Sequence, residues 1–325
     1  YYVPLHGKSG YNDKLTHAGL YGVDMSIKTI EDLIVAISIY RPGAMENGFH
    51  TEYVLRKNGS HKIEYFTGAE NILDKTLGIF VYQEQIMQLC QELGGLSLVE
   101  ADDVRKAMGK KKLSELEKFA EQFISNYVEK FGVTSEYAKE VWDAIGKSAT
   151  YLFNRSHAVA YTLTGYICQW LKVHYPLEYW TVAFNNAKDE DWALYISEIS
   201  ETTGTSLEHP DINKSSVIVT SDSKTHKLYW SLPSIKEVGE KAANQIFEDR
   251  EKNGEYFSFE EFYDRHSYKY SKVDKSVVEH LIMGGAFDSI ENITQPVARY
   301  ELIKKFRELN GKKYDVNKDL FAINQ

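Results

Sequence analysis

The chain is 325 residues long, more than a single hydrophobic core usually organises, so two or three domains are expected. Its balance of 43% hydrophobic and 26% charged residues argues against a membrane protein and against global disorder. The formal net charge of -9 does not exclude nucleic-acid binding, because affinity follows the local field at a groove and not the molecular total.

The longest apolar run, LIVAISIY at 33–40, is too short to span a bilayer, and no secretory leader is visible. Cys90 and Cys168 sit in helical apolar patterns, which fits a reduced, cytoplasmic compartment and offers no cysteine cluster to a metal. Residues 1–22 show no clean period and read as loops. A helix is predicted over 26–40 and is broken by Pro42 and Gly43 in YRPGAMENG. A polar stretch follows, with a turn at Asn58-Gly59.

Residues 78–93, GIFVYQEQIMQLCQEL, carry apolar side chains at helical spacing and end at Gly94-Gly95. Ser97-x-x-Glu100 and Ser114-x-x-Glu117 match the capping box, so one helix is predicted to start at each and to stop at Gly109 and Gly132. A third follows Thr134-Ser135 and buries Tyr137, Val141, Trp142 and Ile145. Asn154-Arg155-Ser156-His157 reads as a loop before a helix over about 158–175, ended by Pro176. Around Ser223-Lys224, alternating Thr, Ser and Val predict two short strands, and helices return from Ile235.

Four constellations carry chemistry. RKAMGKKK at 105–112 packs five cations into eight residues. Lys110, Lys111 and Lys112 suit a helix C-terminus, where each cation contributes about 0.3–1 kcal/mol, whereas Arg105 and Lys106 lie on the helix itself, splayed by about 100°. Together they make a concentrated anion field. Asp102-Asp103 sits early in that capped helix, where carboxylates are stabilised anyway. Arg155, Ser156 and His157 precede an apolar helix whose N-terminal amides suit a phosphate; the plainer alternative makes Ser156 the cap and His157 a half-buried ring. Arg41, beside the Pro-Gly break, either meets an anion or bridges to a carboxylate such as Glu46.

The fourth is IKEVGEKAANQI at 235–246, which matches a helix-hairpin-helix pattern with a tight turn. Such a turn aims backbone amides at a DNA phosphate, and the contacts expected here are Lys236, Gly239 and Lys241. Glu237 stands where the pattern has its first glycine, which weakens the phosphate contact while leaving the fold intact. Asp189-Glu190-Asp191 reads as a solvated helix start and not as a metal site.

IYRPGAMENGF, GIFVYQEQIMQLCQELGGLSLVEADDVRKAMGKKK, YLFNRSHAVAYTLTGYICQWLKVHYPLEYW and VVEHLIMGGAFDSI follow in order the signatures of the bacterial replicative DNA polymerase III alpha subunit. The YRPG form resembles the DnaE-type branch, and the likeness covers roughly residues 26–290. It implies a mainly α fold: a multi-helical fingers domain over 26–187, a linker with a short β-hairpin over 188–232, and a helix-hairpin-helix domain over 233–290. An irregular lead segment (1–25) and a C-terminal helix and tail (291–325) complete the chain.

By the same resemblance, the triphosphate of the incoming dNTP falls to Arg105 and Lys106. Arg41, Tyr82, Gln83, Gln85, Asn154, Arg155, Ser156 and His157 match segments beside the nucleotide. Lys106 stands where the family has a second Arg, and a compact ammonium lacks the planar fork. The expected partners are primer-template DNA, incoming dNTP, a palm-bearing polymerase portion and, through Asn317, Leu320 and Phe321 of NKDLF, a sliding clamp. No residue of the chain is assigned to catalysis or to a metal. The family's Mg²⁺ is held by palm aspartates, expected outside this chain, so the chain alone is expected to be inactive. The alternative is a non-catalytic DNA-binding or clamp-associated module on the same scaffold, and a third possibility is a purely structural subunit.

Overall fold

Among the residues that this computed structural model describes, which are 24–109, 113–148, 151–202, 204–267 and 271–310, there are fifteen α-helices and three short strands. The mainly α expectation therefore holds. Two compact units divide the chain, Tyr1–Gln169 and Trp170–Gln325.

In the first unit α1 is Ile30–Ile39, shorter than the predicted 26–40. Thr29 caps it by accepting from the Asp32 amide, and Asp32 accepts back from the Thr29 amide, a reciprocal box that sets the start. Pro42 does not simply break the chain. It stands at the first position of a short helix, α2 (Pro42–Glu46), where its missing N–H costs nothing. Before the polar stretch lies an unpredicted helix, α3 (Phe49–Lys57), held by Arg56 donating to Glu52 and to the Leu77 carbonyl. Next come α4 (Glu70–Leu73) and α5 (Gln83–Glu92).

The helix predicted over 78–93 thus begins five residues late. Gly78 has φ +81, and the Val81 and Tyr82 amides both donate to the Gln85 side chain instead of into a helix. Ser97 and Glu100 form the predicted box at the start of α6 (Leu98–Gly109). By contrast, α7 (Leu113–Phe131) begins before Ser114, which therefore sits inside the helix and is not its cap. Next come α8 (Ser135–Ser148) and α9 (Arg155–His174). The apolar faces of α5 to α8 share one core through Ile86, Leu89, Val104, Phe123, Tyr127, Val141 and Trp142. A second core joins α1 to Tyr53, Ile79, Val81, Tyr82 and Ala158.

In the second unit α10 (Pro176–Asn186) and α11 (Asp189–Thr202) precede a three-stranded sheet in the order β1-β3-β2. The predicted hairpin is present: β2 (Thr220–Asp222) pairs antiparallel with β3 (Lys227–Tyr229). An unpredicted strand, β1 (Ser206–Glu208), adds parallel to β3. Trp180 and Phe184 of α10 share a core with Ile199, Val219 and Leu228. Residues 176–187, which the resemblance grouped with the fingers, therefore pack here against the strands.

The remaining helices are α12 (Glu240–Asn253), α13 (Phe259–His266), α14 (Lys275–Met283) and α15 (Arg299–Leu309). They close over one apolar core that includes Ile246, Phe259, Phe262, Leu281, Phe287 and Phe306. Arg299 fastens α15 through a fork onto Asp288, 2.6 Å at its shorter arm, and donates to the Met283 carbonyl. Gly285 leaves room for that guanidinium: a Cβ there would lie 2.2 Å from Nη2. Among the described residues, no helix is long and apolar enough to cross a membrane.

His266 is buried beside this core. Gln245 donates to Nδ1 at 3.2 Å, the Tyr256 hydroxyl lies 2.9 Å from Nε2, and that hydroxyl donates to Asp249. Burial holds the imidazole pKa below its ordinary value, against the opposing pull of Asp249. The folded chain then binds this proton less readily than the unfolded chain. Its contribution to stability is whole above the unfolded value of about 6.5 and is lost as pH falls through that value towards the lower folded one. Urea midpoints are expected to drop between neutral and mildly acidic pH, and to drop less in His266→Gln; equal pH slopes would remove His266 from the account.

Candidate functional site

In the first unit the predicted residues converge on the N-terminus of α5. Tyr82 and Phe153 form a short parallel bridge, in which the Gln83 amide donates to the Phe153 carbonyl at 2.9 Å and the Phe153 amide to Val81 at 2.8 Å. The Gln83 side chain reaches the other way: Arg105 Nη1 of α6 stands 3.5 Å from its Oε1. One residue thus ties the cationic pair of α6 to the segment carrying Asn154, Arg155, Ser156 and His157.

Two of the predicted residues are buried. Tyr82 is 1% exposed and Gln85 4%, so neither offers a ligand much surface. Gln85 accepts from the Val81 and Tyr82 amides and donates to the Ile72 carbonyl and to Thr76 Oγ1. Every polar arm of that side chain is committed to shaping the loop before α5. Arg41 is half-buried. It donates to the carbonyls of Ser38 and Tyr151, lies 4.1 Å from the Phe153 ring centroid, and does not bridge to Glu46. It braces the 151–154 segment, and burial lowers its pKa.

At the start of α9 the structure departs from the phosphate expectation. Asn154, and not Ser156, caps the helix: its Oδ1 accepts from the His157 amide at 2.9 Å and from the Ser156 hydroxyl at 2.6 Å. The Arg155 amide donates to both oxygens of Glu84, at 3.0 and 2.9 Å. The Arg155 guanidinium is held by Glu31 at 2.9 Å. This helix end has already taken its anion from within the fold. Ser156 and His157 remain exposed, with the His157 ring stacked against Tyr161 at 6.0 Å.

Arg105 and Lys106 are accessible but paired. Asp102 holds Arg105 at 2.8 Å and Lys106 at 2.7 Å, and Lys106 also lies 3.5 Å from Asp103. These cations keep the Asp102 carboxyl below its usual range, Lys106 first, and Asp102 raises the Lys106 ammonium. Asp102 is thus the partner of the cationic pair and more than a helix-start carboxylate. Glu31, Glu84 and Phe153 were missed as well. The three-and-four spacing of Asp102 to Arg105 and Lys106 is legible in sequence; the other three contacts are made only by the fold.

In the second unit, Glu237 has φ +65, the left-handed conformation for which the hairpin pattern uses glycine. Gly239 is the N-cap of α12 and makes no side-chain cap. Lys236, Gly239 and Lys241 are all exposed. Among the described residues, the amides of Gly239, Glu240 and Lys241 have no acceptor, unlike the start of α9. Lys110, Lys111, Lys112, Asn317, Leu320 and Phe321 lie outside the described residues. Among the described residues, no group of three or more His, Cys, Asp or Glu could hold a metal.

The same two regions are matched by known proteins. The finger domain of the bacterial DNA polymerase III alpha subunit matches residues 22–130, and a helix-hairpin-helix motif matches 204–295. The chain belongs to the bacterial DNA polymerase III alpha family. It is 36% identical over 261 residues to DNA polymerase III subunit alpha of Aquifex aeolicus, covering 80% of this chain and 22% of that relative. To the Thermus aquaticus subunit it is 36% identical over 283 residues, with 84% and 22% covered. For Escherichia coli the values are 34% over 276 residues, with 80% and 23% covered. The chain therefore spans less than a quarter of these polymerase III alpha relatives, and its matched part is their fingers and helix-hairpin-helix region.

Two substitutions check this geometry. Gln85→Ala is expected to cost about 1–3 kcal/mol of unfolding free energy, because it strands buried amides and a carbonyl. Urea denaturation measures it, and a loss within about 0.5 kcal/mol would show that the loop holds without it. Glu237→Gly is expected to gain about 0.5–1 kcal/mol, since a left-handed penalty of roughly 1–2 kcal/mol outweighs the added chain entropy of glycine. An unchanged or lowered midpoint would argue that Glu237 makes a compensating contact.

Proposed function

We propose that this chain grips the triphosphate of an incoming deoxynucleotide and the backbone of primer-template DNA within a replicative DNA polymerase. The observation that carries the proposal is the junction at Gln83, whose side chain faces Arg105 and whose amide bonds Phe153, next to the segment carrying Ser156 and His157. A triphosphate needs converging cations on a rigid support, and Arg105 and Lys106 stand on α6, which is anchored in the core by Val104 and Ala107. Their side chains are 33% and 53% exposed, so an anion can reach them.

Of the ten residues assigned to the nucleotide, Arg105, Lys106, Ser156 and His157 then remain as contacts. Arg41, Tyr82, Gln83, Gln85, Asn154 and Arg155 act behind them by holding the two segments in register. For duplex DNA, the open amides at the start of α12, flanked by Lys236 and Lys241, suit a backbone phosphate. Lys110, Lys111 and Lys112 belong to the same proposal as backbone contacts, and Asn317, Leu320 and Phe321 as a clamp contact. Mg²⁺ bound by another polymerase region would neutralise the charge on the transferring phosphoryl group. The residues assigned here act on phosphate oxygens.

One observation favours the second reading, a DNA-binding module that takes no nucleotide: Arg105 and Lys106 are already paired with Asp102, whereas the α12 amides are open. Arg105→Ala separates the two. In the assembled polymerase it is expected to weaken dNTP binding about 5- to 150-fold, the range for a lost charge-assisted contact, with little change in duplex affinity. Unchanged nucleotide affinity, measured by single-turnover incorporation at varied dNTP, would favour the module.

A further inference from the structure

Arg105 and Lys106 are consecutive on a helix, so their side chains leave it about 100° apart and by themselves address two directions. A residue three before one and four before the other lies at an angle between them. Asp102 occupies that position. Its Oδ1 accepts from Arg105 Nε at 2.8 Å and lies 2.8 Å from Nη2, while its Oδ2 takes Lys106 Nζ at 2.7 Å. Each carboxylate oxygen therefore serves one cation, and the splayed pair is drawn onto one point. Arg105 Nη1 is left facing Gln83 Oε1 at 3.5 Å, at the outer limit of a hydrogen bond.

We propose that Asp102 is an exchangeable counter-anion of the phosphate grip: it gathers Arg105 and Lys106 in the free protein and gives up both to phosphate oxygens when a triphosphate arrives. This inference rests on the assignment of those two cations to the triphosphate. A phosphate group offers the same chemistry as the carboxylate, acceptor oxygens bearing negative charge, with one more oxygen and higher charge. The exchange costs little, because the carboxylate that is released is 32% exposed and returns to water. Asp103, 3.5 Å from Lys106 and 52% exposed, is placed to retain a weaker hold on the ammonium after the switch. Asp102 is thus a positioning residue that also competes with the ligand, and its competition sets how tightly an anion is held.

The exchange predicts a gain on removing charge, which a purely structural residue would not produce. Asp102→Asn keeps the side-chain shape and one acceptor but loses the competing charge. The chain carrying it should bind both dATP and inorganic tripolyphosphate about 2- to 10-fold more tightly than the unchanged chain by titration calorimetry, the scale of two solvent-exposed ion pairs. Deoxyadenosine, which has no phosphate, should show no gain. Against Arg105→Ala as background, Asp102→Asn should give a smaller gain than in the unchanged chain, since only Lys106 then remains to be released. Binding that needs Arg105 yet is unchanged or weaker in Asp102→Asn would overturn the counter-anion role and leave the triphosphate assignment standing. Binding of either phosphate probe by neither the unchanged chain nor Asp102→Asn would overturn both.

Discussion

The backbone bridge between Tyr82 and Phe153 is the constraint on which the candidate site depends. Its donors stand 2.8 and 2.9 Å from their acceptors and join two segments far apart in sequence. Because Tyr82 is extended to make it, α5 starts only at Gln83, and the Val81 and Tyr82 amides left over are satisfied by the Gln85 side chain. The same bridge brings Glu84 under the first amide of α9 and sets Arg41 against the Phe153 ring. A two-residue pairing thereby decides where two helices begin and which side chains meet at their ends.

Electrostatically, the candidate sites of the two units are built in opposite ways. In the first unit Asp102 is shared by Arg105 and Lys106, Glu31 holds Arg155, and Glu84 takes the first α9 amide. An anion entering there replaces existing partners, so affinity is a difference between two similar terms. In the second unit the amides of Gly239, Glu240 and Lys241 have no acceptor among the described residues, so a phosphate there would displace none. The first arrangement favours exchange and selectivity. The second favours a contact indifferent to sequence, as duplex backbone binding requires.

Much of the helical framework was legible because its signals are local. The Ser97 and Glu100 box, the prolines and the glycine stops each act within a few residues, and the described helices follow them closely. Failures came where a local signal met a longer-range partner. Residues 78–82 carry helical periodicity but pair with Phe153 instead, and β1 exists because β3 accepts it as a neighbour. Asn154, one residue ahead of Arg155, displaced Ser156 as the α9 cap, a choice between two competent side chains that propensity does not rank. Glu237 went the other way. Its side chain was expected to weaken a phosphate contact while leaving the fold intact, and the backbone there holds the left-handed conformation that the turn requires.

The amino-acid sequence alone determined the helical class, the two matched regions and the identity of the cationic pair, because periodicity, capping and short motifs are written in neighbouring residues. Even the link from Asp102 to Arg105 and Lys106 was present as a spacing along one helix. Only the tertiary structure decided which of the motif residues face outward. Gln85 and Tyr82 stand in the same motif as Gln83, yet burial commits them to the core and leaves Gln83 at the junction. That division depends on which segment lies opposite, and a hydrogen bond to a partner about seventy residues away leaves no trace in local pattern.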